Sequence, residues 1–147
     1  SNAFLTMSIR NANSNDPTCK LILLGNGSVG KSAVIERFVA DGETTCIFFN
    51  SRDDRPVRTR QMIELTFEKI KPDYFFIRGD KVQKIIDTFG KTLSKTSVEI
   101  IGLERPVEDV ISSLKNLPNN SLVYAIGNQV GAGQEILENI ARLKNNG

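Results

Sequence analysis

The chain of 147 residues has 24% charged and 39% hydrophobic residues, values typical of a globular domain and inconsistent with wholesale disorder. Its formal net charge of +2 is too small to indicate nucleic acid or a membrane surface, so no nucleic-acid partner is expected. No apolar run approaches the ~20 residues of a transmembrane segment. The chain has no histidine, which excludes Ser-His-Asp and Cys-His nucleophile arrangements and the commonest zinc sites.

The first residues are expected to lie outside the main domain. Residues 1–3 are interpreted as a scar of recombinant expression, and Phe4 stands where a natural start would place Met, which suggests a piece of a longer protein. Residues 4–18 are polar, rich in Asn and end in an Asn-Asp-Pro turn signal, so we interpret them as a lead-in. A single α/β domain of the nucleotide-binding type is predicted over residues 19–147.

Strand-like and helix-like segments alternate from Cys19 onward. Leu21–Leu24 is a short continuous apolar run, typical of a buried parallel strand. Further strands are predicted at Thr45–Asn50, Asp73–Arg78, Ser97–Leu103 and Ser121–Gly127. Amphipathic helices are predicted around Val34–Val39, at Val57–Lys71, at Lys81–Gly90, after Pro106 and around Ile136–Leu143.

Successive strand–helix units predict an α/β fold with three layers. Parallel neighbours need crossover helices, so we expect a mainly parallel, five-stranded sheet of the Rossmann-like type with helices on both faces. Cys19 and Cys46 fall in predicted buried strands, at a spacing that fits no metal site. They are therefore expected to be reduced core residues of a cytoplasmic protein.

A glycine-rich segment stands between the first predicted strand and its helix. Gly25–Ser32 satisfies the pattern G-x-x-x-x-G-K-[ST], in which curled backbone N–H groups and the helix dipole hold an anion. Lys31 would reach the outer phosphates of a nucleotide and the Ser32 hydroxyl would bind Mg²⁺. A flexible glycine turn without a ligand is the alternative. The predicted nucleotide contacts here are Gly25, Gly27, Ser28, Val29, Gly30, Lys31 and Ser32.

The segment Cys19–Val39 also resembles the first strand, loop and helix of Ras- and Rab-type small GTPases. Asp87–Gly90 fits their D-x-x-G motif, but it lies in a segment of helical period instead of ending a strand. Gly127–Gln129 begins like their guanine-binding N-K-x-D motif, yet Gln replaces Lys and Gly131 replaces the base-binding Asp. Specificity for GTP is therefore unsupported.

A charged cluster follows the second predicted strand. It contains Arg52, Asp53, Asp54, Arg55, Arg58 and Arg60, at the edge where the carboxyl ends of parallel strands meet and ligands bind. One interpretation is a solvated loop of ion pairs. In the other, the guanidinium groups bind phosphate or carboxylate oxygens while an aspartate binds Mg²⁺ or a cationic amine.

Three motifs carry a longer resemblance. Asn50–Thr59 follows N-x-R-x-D-R-x-x-R-T, Gly79–Asp80 closes the next strand, and Tyr124–Gly131 is similar to Y-G-V-G-N-x-x-G. Asn11–Pro17 is one residue short of an N-A-x-x-x-N-D-P lead-in. From Ile47 to about residue 140, the chain thus resembles the C-terminal domain of Mur-ligase-like poly-γ-glutamate synthases, the ATP-dependent amide ligase subunits of capsule biosynthesis.

The resemblance implies the nucleotide-binding domain of a ligase that activates a carboxylate as an acyl phosphate before an amine attacks it. ATP and Mg²⁺ are the implied cofactors. Arg55, Arg58 and Asp54 are the implied catalytic residues, and Asn128 joins the nucleotide contacts. The implied Mg²⁺ ligands are Ser32, Asp54 and Asp80.

The chain departs from the family at the glycine-rich segment. In these synthases the ATP-binding glycine loop belongs to a preceding central domain, whereas here a loop follows the lead-in directly. A further ligase domain or subunit is therefore an expected partner, and full turnover by this chain alone is not expected. Two alternatives stay open: a free-standing P-loop NTPase with Asp53 or Asp80 beside the metal, and a non-catalytic docking module that contributes only arginines.

Overall fold

The computed structural model describes residues 5–10, 17–23, 44–90, 95–118 and 121–127, together with Glu135 and Glu138, which are helical. The glycine-rich segment 25–32, the helix predicted after it, Asn128 and most of the last predicted helix lie outside the described residues. Their assignments from the sequence therefore stay predictions.

Six strands form one sheet. They are β1 (Leu5–Arg10), β2 (Pro17–Leu23), β3 (Thr45–Asn50), β4 (Tyr74–Arg78), β5 (Ser97–Ile101) and β6 (Ser121–Gly127). The order across the sheet is β1-β2-β6-β3-β4-β5. Strands β6, β3, β4 and β5 form a parallel sheet, β2 extends it on the β6 side, and β1 pairs with β2 in the antiparallel sense.

Helices in the described residues connect the parallel strands. They are α1 (Pro56–Leu65), a π-helical segment (Thr66–Ile70), α2 (Gln83–Gly90) and α3 (Val107–Lys115). Pro56 opens α1, where a fixed φ suits the helix and no backbone N–H is needed. Glu108 and Asp109 stand in the first turn of α3, where acidic side chains stabilise the positive end of the helix dipole.

The predicted helix Val57–Lys71 changes its hydrogen-bond pattern at Thr66. The Thr66 hydroxyl donates to the carbonyl of Met62 at 2.8 Å, which competes with the regular backbone ladder. The Lys71 N–H donates to the Thr66 carbonyl five residues back, also at 2.8 Å, and Lys71 ends the segment with a φ of 51°. The apolar periodicity continues through this change, so the sequence pattern alone does not reveal it.

Strand β3 shows why the molecule has a core on each face of the sheet. All six of its residues are buried, and its alternate side chains enter different clusters. Cys46 and Phe48 pack in the cluster that contains the apolar face of α3. Ile47 and Phe49 pack in the cluster that contains the buried faces of α1, the π-helical segment and α2. Helices therefore cover both faces, as the continuous apolar run of β3 predicts.

The predicted α/β class is confirmed, and the predicted count of five strands is not, because the described sheet has six. The additional strand β1 lies within residues 4–18, which the sequence led us to interpret as a polar lead-in. Leu5, Met7 and Ile9 alternate with polar residues, and this period of two was the overlooked signal. The proposed domain boundary at residue 19 stays a prediction.

Candidate functional site

The carboxyl ends of four parallel strands lie side by side. Asn50 at the end of β3 is paired with Arg78 of β4 and with Gly127 of β6, and Arg78 is paired with Ile101 of β5. The loops that leave these strands therefore start next to one another. In open parallel sheets this edge is where ligands bind.

Ser51 connects the turn after β3 to β4 by hydrogen bonds. The Ser51 N–H and hydroxyl both donate to the Arg78 carbonyl, at 3.0 and 2.7 Å. Ser51 is buried and lies against Gly79, where an added Cβ would collide with the Ser51 hydroxyl. The close approach of these two loops therefore requires glycine at position 79.

Asp53 and Asp80 connect the loops after β3, β4 and β5 by hydrogen bonds. The Asp53 carboxylate accepts hydrogen bonds from the backbone N–H groups of Asp80 and Lys81, both at 3.2 Å. The Asp80 carboxylate in turn accepts one from the N–H of Leu103 at 2.9 Å. The loops after β3, β4 and β5 are thus linked by side chains close to the predicted site.

Asp54 forms a bidentate pair with Arg52. Arg52 Nε donates to Asp54 Oδ1 at 2.9 Å and Nη2 donates to Oδ2 at 2.6 Å. This hydrogen bonding lowers the pKa of Asp54 and raises that of Arg52. Asp54 is therefore a carboxylate with both oxygens engaged, as the solvated ion-pair interpretation of this turn expects.

Arg55 and Arg58 flank the start of α1. Both are exposed, and neither takes part in an ion pair with any described residue. The first turn of α1 holds no acidic residue. Two cations at the positive end of a helix dipole are unfavourable, and the neighbouring Asp54 carboxylate, which is already paired with Arg52, offsets only part of their charge. Their positions thus favour an anionic ligand.

The predicted site residues are only partly brought together. Asp54, Arg55, Arg58 and Asp80 all lie in loops or a helix start at the carboxyl edge, whereas Ser32 and the rest of the glycine-rich segment lie outside the described residues. Within the described part of the chain, no three acidic, Cys or His residues are grouped so that they could hold a metal ion. The Mg²⁺ assignment of Ser32, Asp54 and Asp80 stays a prediction.

The structure draws attention to one residue that the sequence analysis did not assign to the site. Arg78 is the last residue of β4, and its side chain lies between the ends of β3 and β5. The available signal was an arginine that ends the otherwise apolar run Tyr74–Ile77 at a predicted carboxyl edge.

A cavity of about 340 Å³ lies at the other end of the sheet. Tyr74, Phe76 and Glu99 from β4 and β5, with Ser113 from α3, are among its lining residues. None of the predicted site residues lines it. Ser113 donates to Glu99 at 3.0 Å, so part of its polar surface is already satisfied within the protein.

Among the residues that the structure describes, no helix has the length and apolar character that crossing a membrane requires. The fold is an α/β domain with a largely parallel sheet and charged loops at its carboxyl edge. Comparison with protein families identifies it further: the chain belongs to the family of the poly-gamma-glutamate synthase CapB C-terminal domain, whose model matches residues 10–143. A search of curated proteins found no match.

Proposed function

We propose that this chain is the nucleotide-binding domain of an ATP-dependent amide ligase similar to the capsule poly-γ-glutamate synthases. The observation that carries the proposal is the family match over residues 10–143, which also includes the glycine-rich segment. Arg55 and Arg58 at the carboxyl edge form no ion pair with a described residue and support the proposal, because a polyphosphate or a carboxylate substrate would neutralise them.

The residues of this edge fit the binding of ATP better than they fit a Mg²⁺ site of their own. Arg55 and Arg58 would bind phosphate oxygens, and Lys31 and Asn128 would add contacts from segments predicted to face the same edge. ATP would supply the γ-phosphoryl group that converts a carboxylate into an acyl phosphate with release of ADP, and an amine would then attack the acyl carbon and displace inorganic phosphate.

Magnesium would be held by few protein oxygens and by the phosphates. Asp80 uses Oδ1 to accept the Leu103 N–H, and its Oδ2 accepts no hydrogen bond from a described residue. Asp54 would have to exchange part of its pair with Arg52 for the metal. Asp80, together with Ser32, is therefore the better-suited ligand in this proposal.

A second function is favoured by one specific observation. Arg55 and Arg58 are exposed and have no ion partner in the described part of the chain, and Val57 between them is 68% exposed. A module that docks on a partner domain and places arginines on a nucleotide held by that domain would use such a surface. This alternative predicts no turnover by the chain alone and activity after addition of the missing domain.

Isothermal titration with Mg-ATP tests the main proposal. We expect wild type to bind, and the double variant Arg55→Gln/Arg58→Gln to bind at least tenfold more weakly, since each lost charge-assisted contact costs about 1.5–3 kcal/mol. Lys69→Gln is the control. Lys69 is exposed in the π-helical segment, which precedes the amino end of β4 and so lies away from the carboxyl edge. Its affinity should stay within about twofold of wild type.

The same titration with Lys31→Ala examines the glycine-rich segment. Weaker binding is expected because the outer phosphates would lose a positive charge. Absence of heat with wild type, or equal affinity in the arginine double variant, would contradict the proposal. If Lys31→Ala binds as tightly as wild type while the arginine double variant binds more weakly, the glycine-rich segment is not part of the site, and Arg55 and Arg58 remain in it.

A further inference from the structure

Arg78 is held at the carboxyl edge by long hydrogen bonds to uncharged acceptors. Its Nη1 donates to the Asn50 side-chain oxygen and its Nη2 donates to the Leu103 carbonyl, both at 3.3 Å. Its Nε is buried and has no hydrogen-bond partner among the residues that the structure describes. The guanidinium is therefore fixed between the loops after β3 and β5 with part of its donor capacity unused.

Within the described ranges of the chain, no carboxylate balances the charge of Arg78. No ion pair among the described residues includes it, although the side chain is partly buried. By contrast, Arg52 is paired with Asp54, and Arg105 is paired with Asp109 and Glu99. A partly desolvated cation without a counter-ion is costly, and an oxyanion would offset that cost.

Arg78 lies where a bound ligand could supply the missing negative charge. Strand register sets it beside Asn50 and Ile101, and Asn50 is in turn beside Gly127. Gly127 has a φ of 105°, and a Cβ there would collide with the Asn50 carbonyl, so the β6 end lies close against β3. Arg78 thus occupies the middle of the edge where parallel sheets bind ligands.

We propose that Arg78 is a further oxyanion-binding residue, whose guanidinium contacts a phosphate or carboxylate oxygen of the ligand at the carboxyl edge. The inference rests on the proposed function in that it uses the same site. It adds to that function a specificity determinant, because a planar guanidinium fixed by two acceptors binds an oxyanion in a defined orientation.

The direct test observes the Arg78 Nε–H signal by NMR in the ¹⁵N-labelled full chain. Inorganic pyrophosphate and glutarate are titrated separately, which distinguishes a phosphate from a carboxylate source. We expect one of the two anions to shift the Arg78 signal in a saturable way, while the signal of Arg105 stays in place. No shift of the Arg78 signal with either anion would overturn the proposal.

Variants provide the second measurement. Arg78→Gln keeps a side-chain donor for Asn50 but removes the charge, and we expect at least tenfold weaker binding of the anion that shifted the signal. Arg78→Lys should recover part of the affinity, because it restores the charge without the planar fork. Arg105→Gln, which changes the net charge equally but removes an already neutralised arginine, should stay within about twofold of wild type. Equal losses in Arg78→Gln and Arg105→Gln would mean a nonspecific charge effect and overturn the assignment.

The outcome is separable from that of the proposed function. One result is that wild type binds Mg-ATP without a shift of the Arg78 signal and with equal affinity in Arg78→Gln. That result would overturn this inference and leave the proposed function standing. An anion bound at Arg78 by a chain that does not bind Mg-ATP would support the inference and contradict the nucleotide-binding role.

Discussion

The neighbouring carboxylates Asp53 and Asp54 have different partners. Asp53 accepts two backbone N–H groups of the next loop, whereas Asp54 is exposed to solvent and pairs with Arg52. Because that pair lowers the pKa of Asp54, the group stays ionised as pH falls until its reduced pKa is reached. Asp54 is consequently unsuited to donate a proton near neutral pH.

Substitution of Gly79 by alanine is expected to destabilise the fold. In Gly79→Ala the new methyl group would collide with the Ser51 hydroxyl and approach Val82 Cγ1 at 3.1 Å and Asp53 Oδ1 at 3.3 Å. The Ser51 hydroxyl cannot rotate away without losing its bond to the Arg78 carbonyl. We expect a loss of about 1–3 kcal/mol in the free energy of unfolding, measured by urea denaturation.

Gly102→Ala is the matched control for this substitution. The methyl group there would meet only the carboxylate of Glu104, an exposed side chain that can move into solvent. Its free energy of unfolding should change by no more than about 0.5 kcal/mol. Equal stabilities of the two variants would contradict the tight packing of the loops around Gly79.

At the scale of elements, the loops after β3, β4 and β5 form one hydrogen-bonded unit. Asp53 connects the first loop to the second, and Asp80 connects the second to the third. The unit sets the start of α1, and with it Arg55 and Arg58, relative to the sheet. A ligand that contacts several of these loops would meet a preformed surface, which lowers the entropic cost of binding.

Asp53→Asn tests that connection. The amide can accept through one oxygen only, and its NH₂ group would face a backbone donor, so a loss of about 1 kcal/mol is expected. The backbone amides of Asp80 and Lys81 should exchange with deuterium about fivefold to tenfold faster, because 1.4 kcal/mol corresponds to tenfold.

The control for this variant is Asp87→Asn. Asp87 lies on the exposed face of α2 and, among the described residues, accepts only from the Gln83 side chain at 2.9 Å, so exchange at residues 80 and 81 should not change. Unchanged exchange at those two amides in Asp53→Asn would refute the proposed link between the loops.

The elements could be predicted where a local pattern determines them. Strands β3 and β6 have the predicted bounds, because runs such as TCIFFN are apolar on both faces and end at polar or glycine residues. The end of β5 at Ile101, instead of the predicted Leu103, and the π-helical segment could not be predicted, because strand pairing decides the first and a competing Thr66 hydrogen bond the second. Strand β1 was missed because its alternation stands among turn-forming residues.

At the scale of the whole molecule, the sequence predicted the family and the charged loops at the carboxyl ends of the strands. It did not predict the hydrogen bonds that connect those loops. The motifs Asn50–Thr59, Gly79–Asp80 and Tyr124–Gly131 carried the resemblance, which the match over residues 10–143 confirms at the level of the family. The contacts of Asp53 and Arg78 join residues 25 to 28 positions apart in sequence. No local pattern encodes such contacts, because they depend on strand order.

The most direct test of the central claim is to map Mg-ATP on the full chain by amide chemical shifts in NMR. We expect saturable shifts clustered at the carboxyl edge, at Ser51, Arg55 and Gly79, with the amides of Asp73, Ser97 and Asn116 at the amino end unaffected. Shifts confined to the amino end, or no saturable shift anywhere in wild type, would contradict the claim that this edge binds the nucleotide.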